Sequence, residues 1–113
     1  RAAGRLLAAR VGTLHFPNWR SHGGWRAVGR RQDQLGDRSV TTVYYQAGAT
    51  RIAYSIVSAP SLPGLKLGRE PYATLPRPGR TVIVWEERNH TCMLSGAGTS
   101  SSELWQLAVA TQQ

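Results

Sequence analysis

The fold is decided by residues 39–58, SVTTVYYQAGATRIAYSIVS. Two runs rich in β-branched and aromatic residues, 39–46 and 50–58, flank a short Ala-Gly-Ala turn, a pattern typical of a β-hairpin. Successive side chains of a strand point to opposite faces, so one face of the second strand is apolar. That face carries Ile52, Tyr54 and Ile56. We therefore expect an antiparallel sheet with one buried face.

Further strands are predicted on both sides of this hairpin. Residues 25–31 form the first strand candidate, after the Gly-Gly pair at 23–24. Residues 81–87 (TVIVWEE) and 90–95 (HTCMLS) predict a second hairpin, joined at Arg88-Asn89. Asn tolerates the left-handed backbone that a tight hairpin turn requires.

Two helices are predicted, one near each end of the chain. Residues 2–10 (AAGRLLAAR) favour a short helix. Ser100 with Glu103 forms a capping box, and apolar residues at helical spacing follow it. They include Leu104, Leu107 and Ala108. The predicted fold class is α+β: an antiparallel sheet of two or more hairpins, a C-terminal helix packed on it and a short N-terminal helix.

A chain of 113 residues has room for one domain, and we expect 1–113 to form it. Its predicted parts are a basic N-terminal arm or helix, a first strand group, a Pro-rich loop, and a hairpin with the C-terminal helix, over residues 1–23, 24–58, 59–80 and 81–113. Five of the six prolines lie in 59–80, which excludes a helix and disfavours a central strand there. A connection of this length is often functional or mobile, and the alternative, which we prefer, is a loop pinned on the sheet by Leu62, Leu65, Leu67 and Tyr72.

Charge is concentrated at the start of the chain. Residues 1–31 contain seven Arg and no Asp or Glu, so they carry most of the net charge of +8. This asymmetry indicates an anionic partner, such as a membrane surface, a nucleic acid or an acidic protein face, with a merely solvated segment as the alternative. The candidate binding residues are Arg5, Arg10, Arg20, Arg26, Arg30 and Arg31. The sequence contains no stretch of about 18 apolar residues, which a membrane span would need, and no signal peptide is recognised.

Candidate catalytic chemistry is limited to His90 and Cys92. Two positions apart on a predicted strand, they share a face and match the start of a Cys–His pair or of a metal site. A zinc site would also need His15 or His22 from a distant loop and a fourth ligand. No paired Cys-x-x-Cys or His-x-x-x-His spacing supports such a site, and a small core thiol beside a histidine at the end of a hairpin explains the pair better. We therefore predict no catalytic residue, no metal, no cofactor and no enzyme activity.

Nucleic-acid binding is the alternative function. Trp19 and Trp25 are interleaved with arginines, and aromatic rings among cations can stack bases and hold phosphates. The sequence contains no RNA-recognition signature, zinc finger or helix-turn-helix. A non-enzymatic binding module with another partner is therefore preferred.

The chain resembles the extracytoplasmic, C-terminal part of transmembrane anti-sigma factors of GC-rich, actinobacterial-type genomes. Three blocks carry the resemblance: residues 24–29 with 32–38, residues 42–45 with 52–57, and residues 84–95 with the helix after them. Together they extend over roughly residues 24–110. The third block, VWEERNHTCMLS, is the most specific, although it names no reaction.

The resemblance implies a parent protein with a cytoplasmic sigma-binding domain, one membrane span and this domain outside the membrane. Such a domain senses envelope conditions or shields its parent from regulated proteolysis. We expect its partners to be an anionic membrane surface or another envelope protein, with a sigma factor bound only through the cytoplasmic domain that this fragment lacks. The positive-inside rule disfavours arginine just outside a span. An N-terminal arm that lies on anionic lipid headgroups would reconcile the arginine-rich start of the chain with this rule.

Overall fold

The computed structural model describes residues 4–64 and 70–110. Within them the chain is mostly β, so the α+β prediction is wrong. Eight strands and one helix follow each other: β1 (Leu6–Val11), β2 (Leu14–Pro17), β3 (Arg26–Leu35), β4 (Arg38–Ala47), β5 (Thr50–Val57), β6 (Ala73–Arg77), β7 (Arg80–Glu87), β8 (His90–Gly96) and α1 (Ser101–Ala110).

Six strands form one antiparallel sheet in the order β3-β4-β5-β8-β7-β6, and β1 and β2 form a separate two-stranded hairpin. Both predicted hairpins are confirmed. Gly48 turns the first with φ 60°, and Arg88 and Asn89 turn the second with φ 50° and 63°. Two consecutive left-handed residues match the right-handed twist of the flanking strands, which sets the register of β7 and β8.

The N-terminal helix predicted over residues 2–10 is wrong. Residues 6–11 form strand β1, and residues 1–3 lie outside the described residues. The side chains alternate: Leu7, Ala9 and Val11 pack towards the core, while Ala8 and Arg10 are exposed. A helix this short is marginal in water, and burial of an alternating face outweighs its modest helix propensity.

The two faces of the six-stranded sheet have different surroundings. The core face, which carries Tyr45, Tyr54 and Trp85, is covered by the β1–β2 hairpin and α1. Tyr54 packs edge to face against Phe16 (ring centres 5.3 Å apart) and Trp85 (5.5 Å), and it stacks on Trp19 (5.6 Å). The opposite face, which we call the outer face, carries Tyr44 and the residues that pair with it on the neighbouring strands. The core therefore lies between the sheet and the hairpin.

The β1–β2 hairpin lies lengthwise along the core face. At one end the Tyr45 hydroxyl donates a hydrogen bond to the Pro17 carbonyl oxygen (2.8 Å). At the other end the Gly12 turn lies against His90, where a Cβ on residue 12 would be 3.2 Å from Nε2. Gly12 has φ 59°, a left-handed conformation that favours glycine and brings the two strands into a two-residue turn.

The segment predicted as a Pro-rich loop contains strand β6. Pro76 is tolerated there because β6 is an edge strand. Of the predicted pinning residues, Leu62 and Tyr72 are half-buried, while Leu65 and Leu67 lie outside the described residues. The Leu62 amide donates to the Thr91 hydroxyl (2.9 Å) on the outer face, so the chain after β5 is held against the sheet.

The predicted capping box of α1 is confirmed. The Glu103 amide donates to the Ser100 hydroxyl (3.1 Å), and the Ser100 amide donates to the Glu103 carboxylate (2.8 Å). Leu104 and Ala108, one turn apart, are the buried residues of the helix. Trp105 packs between Trp85 (5.7 Å between ring centres) and Tyr72 (5.1 Å). The helix therefore closes one side of the core.

Candidate binding surfaces

His90 and Cys92 share the core face of β8, as predicted, but both are buried, with 4% and 0% of their surfaces exposed. The His90 ring nitrogen Nδ1 is 2.8 Å from the Arg88 carbonyl oxygen, so the imidazole is held by its own turn. Burial, together with the Glu87 carboxylate, raises the pKa of Cys92 to about 12. A thiol that stays protonated in a closed core is a poor nucleophile.

The neighbours of Cys92 also serve the core. The Trp85 indole N–H donates to the Glu87 carboxylate (3.3 Å), which gives a buried donor and a buried acceptor a partner. Burial raises the pKa of Tyr54 well above its ordinary value, with Cys92 and Glu87 adding to the shift. In the part of the chain that the structure describes, no three His, Cys, Asp or Glu side chains form a group that could hold a metal ion.

The six arginines singled out in the sequence do not form one surface. All six are exposed, but Arg10 lies near the β1–β2 turn, where its Nη1 donates to the Gly12 carbonyl (2.9 Å). On β3 a bulge between Ala27 and Gly29 shifts the register. Arg26 and Arg31 therefore lie opposite outer-face residues of β4, whereas Arg30 lies opposite Val43 of the core face. Arg5 and Arg20 flank the open end of the β1–β2 hairpin.

Arg31 is held by its neighbours on the outer face. Its Nε lies 3.0 Å from the Asp33 carboxylate, and both side chains are largely exposed. A hydrogen bond with Tyr44, followed by attraction to Asp33, raises the pKa of the Arg31 guanidinium. An exposed ion pair of this kind contributes little stability, so its effect is mainly to orient the side chain.

A cavity of about 360 Å³ lies between α1 and the segment before β3. Trp25, Leu104 and Leu107 contribute to its apolar wall, and the polar groups come from His22, Thr99, Glu103 and Gln106. Gly23 and Gly24, with φ 100° and 73°, turn the chain so that Trp25 lies beside the helix. This cavity was not predicted from the sequence, in which the Gly-Gly-Trp run at residues 23–25 was the available signal.

The two tryptophans of the nucleic-acid hypothesis have different surroundings. Trp19 is fully buried, with its ring centre 4.8 Å from that of Tyr45 and 5.6 Å from that of Tyr54. It is therefore unable to stack on a base. Trp25 is half-buried at the cavity and keeps part of its ring accessible.

The comparisons with known proteins return no relative. No protein-family model, no curated protein and no solved structure matches the chain. Among the described residues 4–64 and 70–110, no helix combines the length and the hydrophobicity of a membrane-spanning segment.

Proposed function

We propose that this chain is a non-enzymatic regulatory domain, the extracytoplasmic part of a transmembrane anti-sigma factor. The observation that supports it most is the position of Cys92 and His90, the two side chains best suited to nucleophilic or acid–base chemistry. Both are built into the core face, with the thiol kept protonated. The blocks that carry the resemblance supply β3, β4, β5, β7, β8 and α1, which make the scaffold.

A mechanism follows from the way the first strand is held. Proteases cleave extended chain, and β1 is extended but paired with β2 over the core face. The Asn18 amide donates to the Arg5 carbonyl (2.8 Å), and Leu14 and Phe16 of the partner strand are fully buried. In a parent whose membrane span precedes this domain, the folded domain would thus shield the segment next to the membrane. A signal that loosens the hairpin would expose that segment to cleavage and release the sigma factor.

The cavity beside Trp25 is a place where such a signal could act. It lies between α1 and the chain that joins the β1–β2 hairpin to β3. Occupation of the cavity would change the packing of that connection while leaving the six-stranded sheet intact. Pockets that combine an apolar wall with a few polar groups are typical of small-molecule sites.

Nucleic-acid binding stays the second candidate, because three arginines line the exposed edge strand β3. The buried position of Trp19 weighs against it, since stacking on bases requires an accessible ring.

The intact mass and the membrane partition of the native gene product, followed with an antibody against this domain, test the proposal. A product well above 12.4 kDa that stays with membranes and exposes this domain to external protease is the expected result. A product of 12.4 kDa in the soluble fraction would overturn the proposal.

A further inference from the structure

The arginines are distributed unevenly between the two ends of the six-stranded sheet. We call the end at which β3, β5 and β7 begin the basic end. Arg26 pairs with Gln46, and Gln46 pairs with Arg51, so these three side chains form a row across β3, β4 and β5. The row continues on β7 and β6, where Arg80 pairs with Arg77.

The register places Arg80 level with Arg51. Ile52 and Thr81 both pair with Gly96 of β8, so the residues just before them, Arg51 and Arg80, flank the chain that leaves β8. With strands about 4.8 Å apart, the row from Arg26 to Arg77 extends over five intervals, roughly 24 Å. Four arginines that are spread over residues 26–80 of the sequence therefore line one end of the sheet.

These side chains belong to the outer face. The Arg51 guanidinium donates to the Gln46 amide oxygen (3.4 Å) and lies 6.0 Å from the centre of the Tyr44 ring. Arg80 donates to the Ser95 hydroxyl (3.1 Å) on the same face. Contacts of this kind hold the charged groups near the sheet and leave them hydrated, because all four arginines of the row are exposed.

The β1–β2 hairpin brings two more arginines to the basic end. Pro17 lies over Tyr45, near the end of β4 at the basic end. Asn18 joins Pro17 to the segment that contains Arg5, through its amide hydrogen bond to the Arg5 carbonyl, and Arg20 follows two residues later. The chain before β1 thus enters the molecule at the basic end.

Carboxylates gather at the opposite end. Asp33 and Asp37 lie at or near the β3–β4 turn, Glu86 and Glu87 lie at the end of β7, and Glu70 lies near the start of β6. Of the carboxylates in residues 4–64 and 70–110, only Glu103 lies towards the basic end, where it is hydrogen-bonded to the Ser100 amide. Arg10, Arg38 and Arg88 offset the acidic groups at the opposite end. The molecule is therefore electrically polar along its strands.

We propose that the basic end docks on a surface of anionic lipid headgroups. The guanidinium groups of Arg5, Arg20, Arg26, Arg51, Arg77 and Arg80 come from four strands or strand ends and from the open end of the β1–β2 hairpin, and they spread over one end of the molecule. Arg77 and Arg80 line an open cavity of about 560 Å³, and the other four lie outside it. A plane of phosphates fits this arrangement better than a single nucleic-acid strand does. Arg51 also covers Tyr44, the half-buried aromatic ring that lies beside the row.

The choice of a lipid surface rests on the proposed function, in which a membrane span precedes the domain. The chain enters at the basic end, so that end would face the bilayer. Most of these arginines also avoid conflict with the positive-inside rule, which counts residues within about 15–20 of a span. Arg26, Arg51, Arg77 and Arg80 lie beyond that range from residue 4 and reach the membrane only through folding.

The test measures binding of the 113-residue chain to vesicles of phosphatidylglycerol and phosphatidylcholine, with pure phosphatidylcholine vesicles beside them. The triple variant Arg26→Gln/Arg51→Gln/Arg80→Gln should bind the anionic vesicles about 100-fold more weakly, since each arginine near the surface contributes about fivefold. The matched control, Arg10→Gln/Arg38→Gln/Arg88→Gln, loses the same charge at the opposite end. It should stay within about threefold of the wild type, because those groups lie several Debye lengths of about 8–10 Å from the surface.

Equal losses in the two triple variants would overturn the inference, because net charge alone would then explain binding. If the chain bound pure phosphatidylcholine vesicles as tightly as anionic vesicles, the inference would also be overturned. The same holds if a single-stranded oligonucleotide displaced the chain from anionic vesicles at a concentration below that of the lipid. Circular dichroism of both variants checks that they fold. A soluble 12.4 kDa gene product with end-specific vesicle binding would remove only the proposed function. A membrane-bound gene product whose isolated domain does not bind anionic vesicles would refute only this inference.

Discussion

Alkylation of Cys92 by iodoacetamide at pH 8 should be about a thousandfold slower in the native protein than in the unfolded chain. Only the thiolate reacts, and burial raises the pKa of this thiol from its ordinary value of 9.0 to about 12. At pH 8 the thiolate fraction is then about one in ten thousand in the folded protein, against about one in ten in the unfolded chain. The closed core around Cys92, which has no exposed surface, slows the reaction further.

The assay follows incorporation of the reagent by mass spectrometry from pH 6 to pH 10, with and without denaturing urea. Glu87→Gln is the informative variant, because the Glu87 carboxylate contributes to the raised pKa of Cys92. Its Oε1 can still accept the Trp85 N–H, so we expect faster alkylation without unfolding. Rapid native alkylation that rises through an inflection near pH 6–7 would refute the reasoning, since it would reveal an activated thiol and reopen the enzyme hypothesis.

The remaining predictions concern stability. The free energy of unfolding should fall by about 1.4 kcal/mol per pH unit between pH 9 and 12, because Cys92 stays protonated in the folded state while it ionises in the unfolded chain. Tyr45 and Tyr54, whose pKa values are raised by burial, should add to the fall above pH 10. Urea midpoints at pH 8 to 11 measure this, and Cys92→Ala should remove the fall between pH 9 and 10; a midpoint that does not change would contradict it. Trp19→Ala should cost about 3–5 kcal/mol, since the side chain is fully buried between two tyrosine rings. Trp25→Ala, at the half-buried cavity wall, should cost less than about half as much, and equal urea midpoints for the two variants would disprove this assignment of the core.

Local patterns predicted the elements whose structure depends on nearby residues. The β4–β5 and β7–β8 hairpins follow from alternating side chains and from turn residues that accept left-handed geometry. The α1 capping box is a contact between residues three apart, so sequence spacing alone reveals it. Strand β3 was found but extends to Leu35, four residues past its predicted end, because pairing with β4 continues to the turn.

The misses arose where helix-forming residues or a proline argue locally against a strand that tertiary contacts stabilise. Residues 6–11 contain good helix formers, yet they form a strand because β2 and the core face offer a surface for Leu7, Ala9 and Val11. The strand β6 contains a proline and exists because β7 presents an open edge to it. Both partner strands follow after two-residue turns, at residues 12–13 and 78–79, but the core face on which β1 packs comes from strands far away in sequence, and Pro76 argues locally against a strand.

The sequence by itself determined the β4–β5 and β7–β8 hairpins, the C-terminal helix and the excess of positive charge, since these depend on side-chain alternation, turn geometry and composition. The tertiary structure alone decided where that charge acts. Strand pairing carries Arg51, Arg77 and Arg80 to the end where Arg26 lies, and the β1–β2 hairpin sends Arg10 to the other. It also buried Cys92, His90 and Trp19. Burial and proximity in a sheet are set by register between distant strands, and that register exists only once the chain has folded.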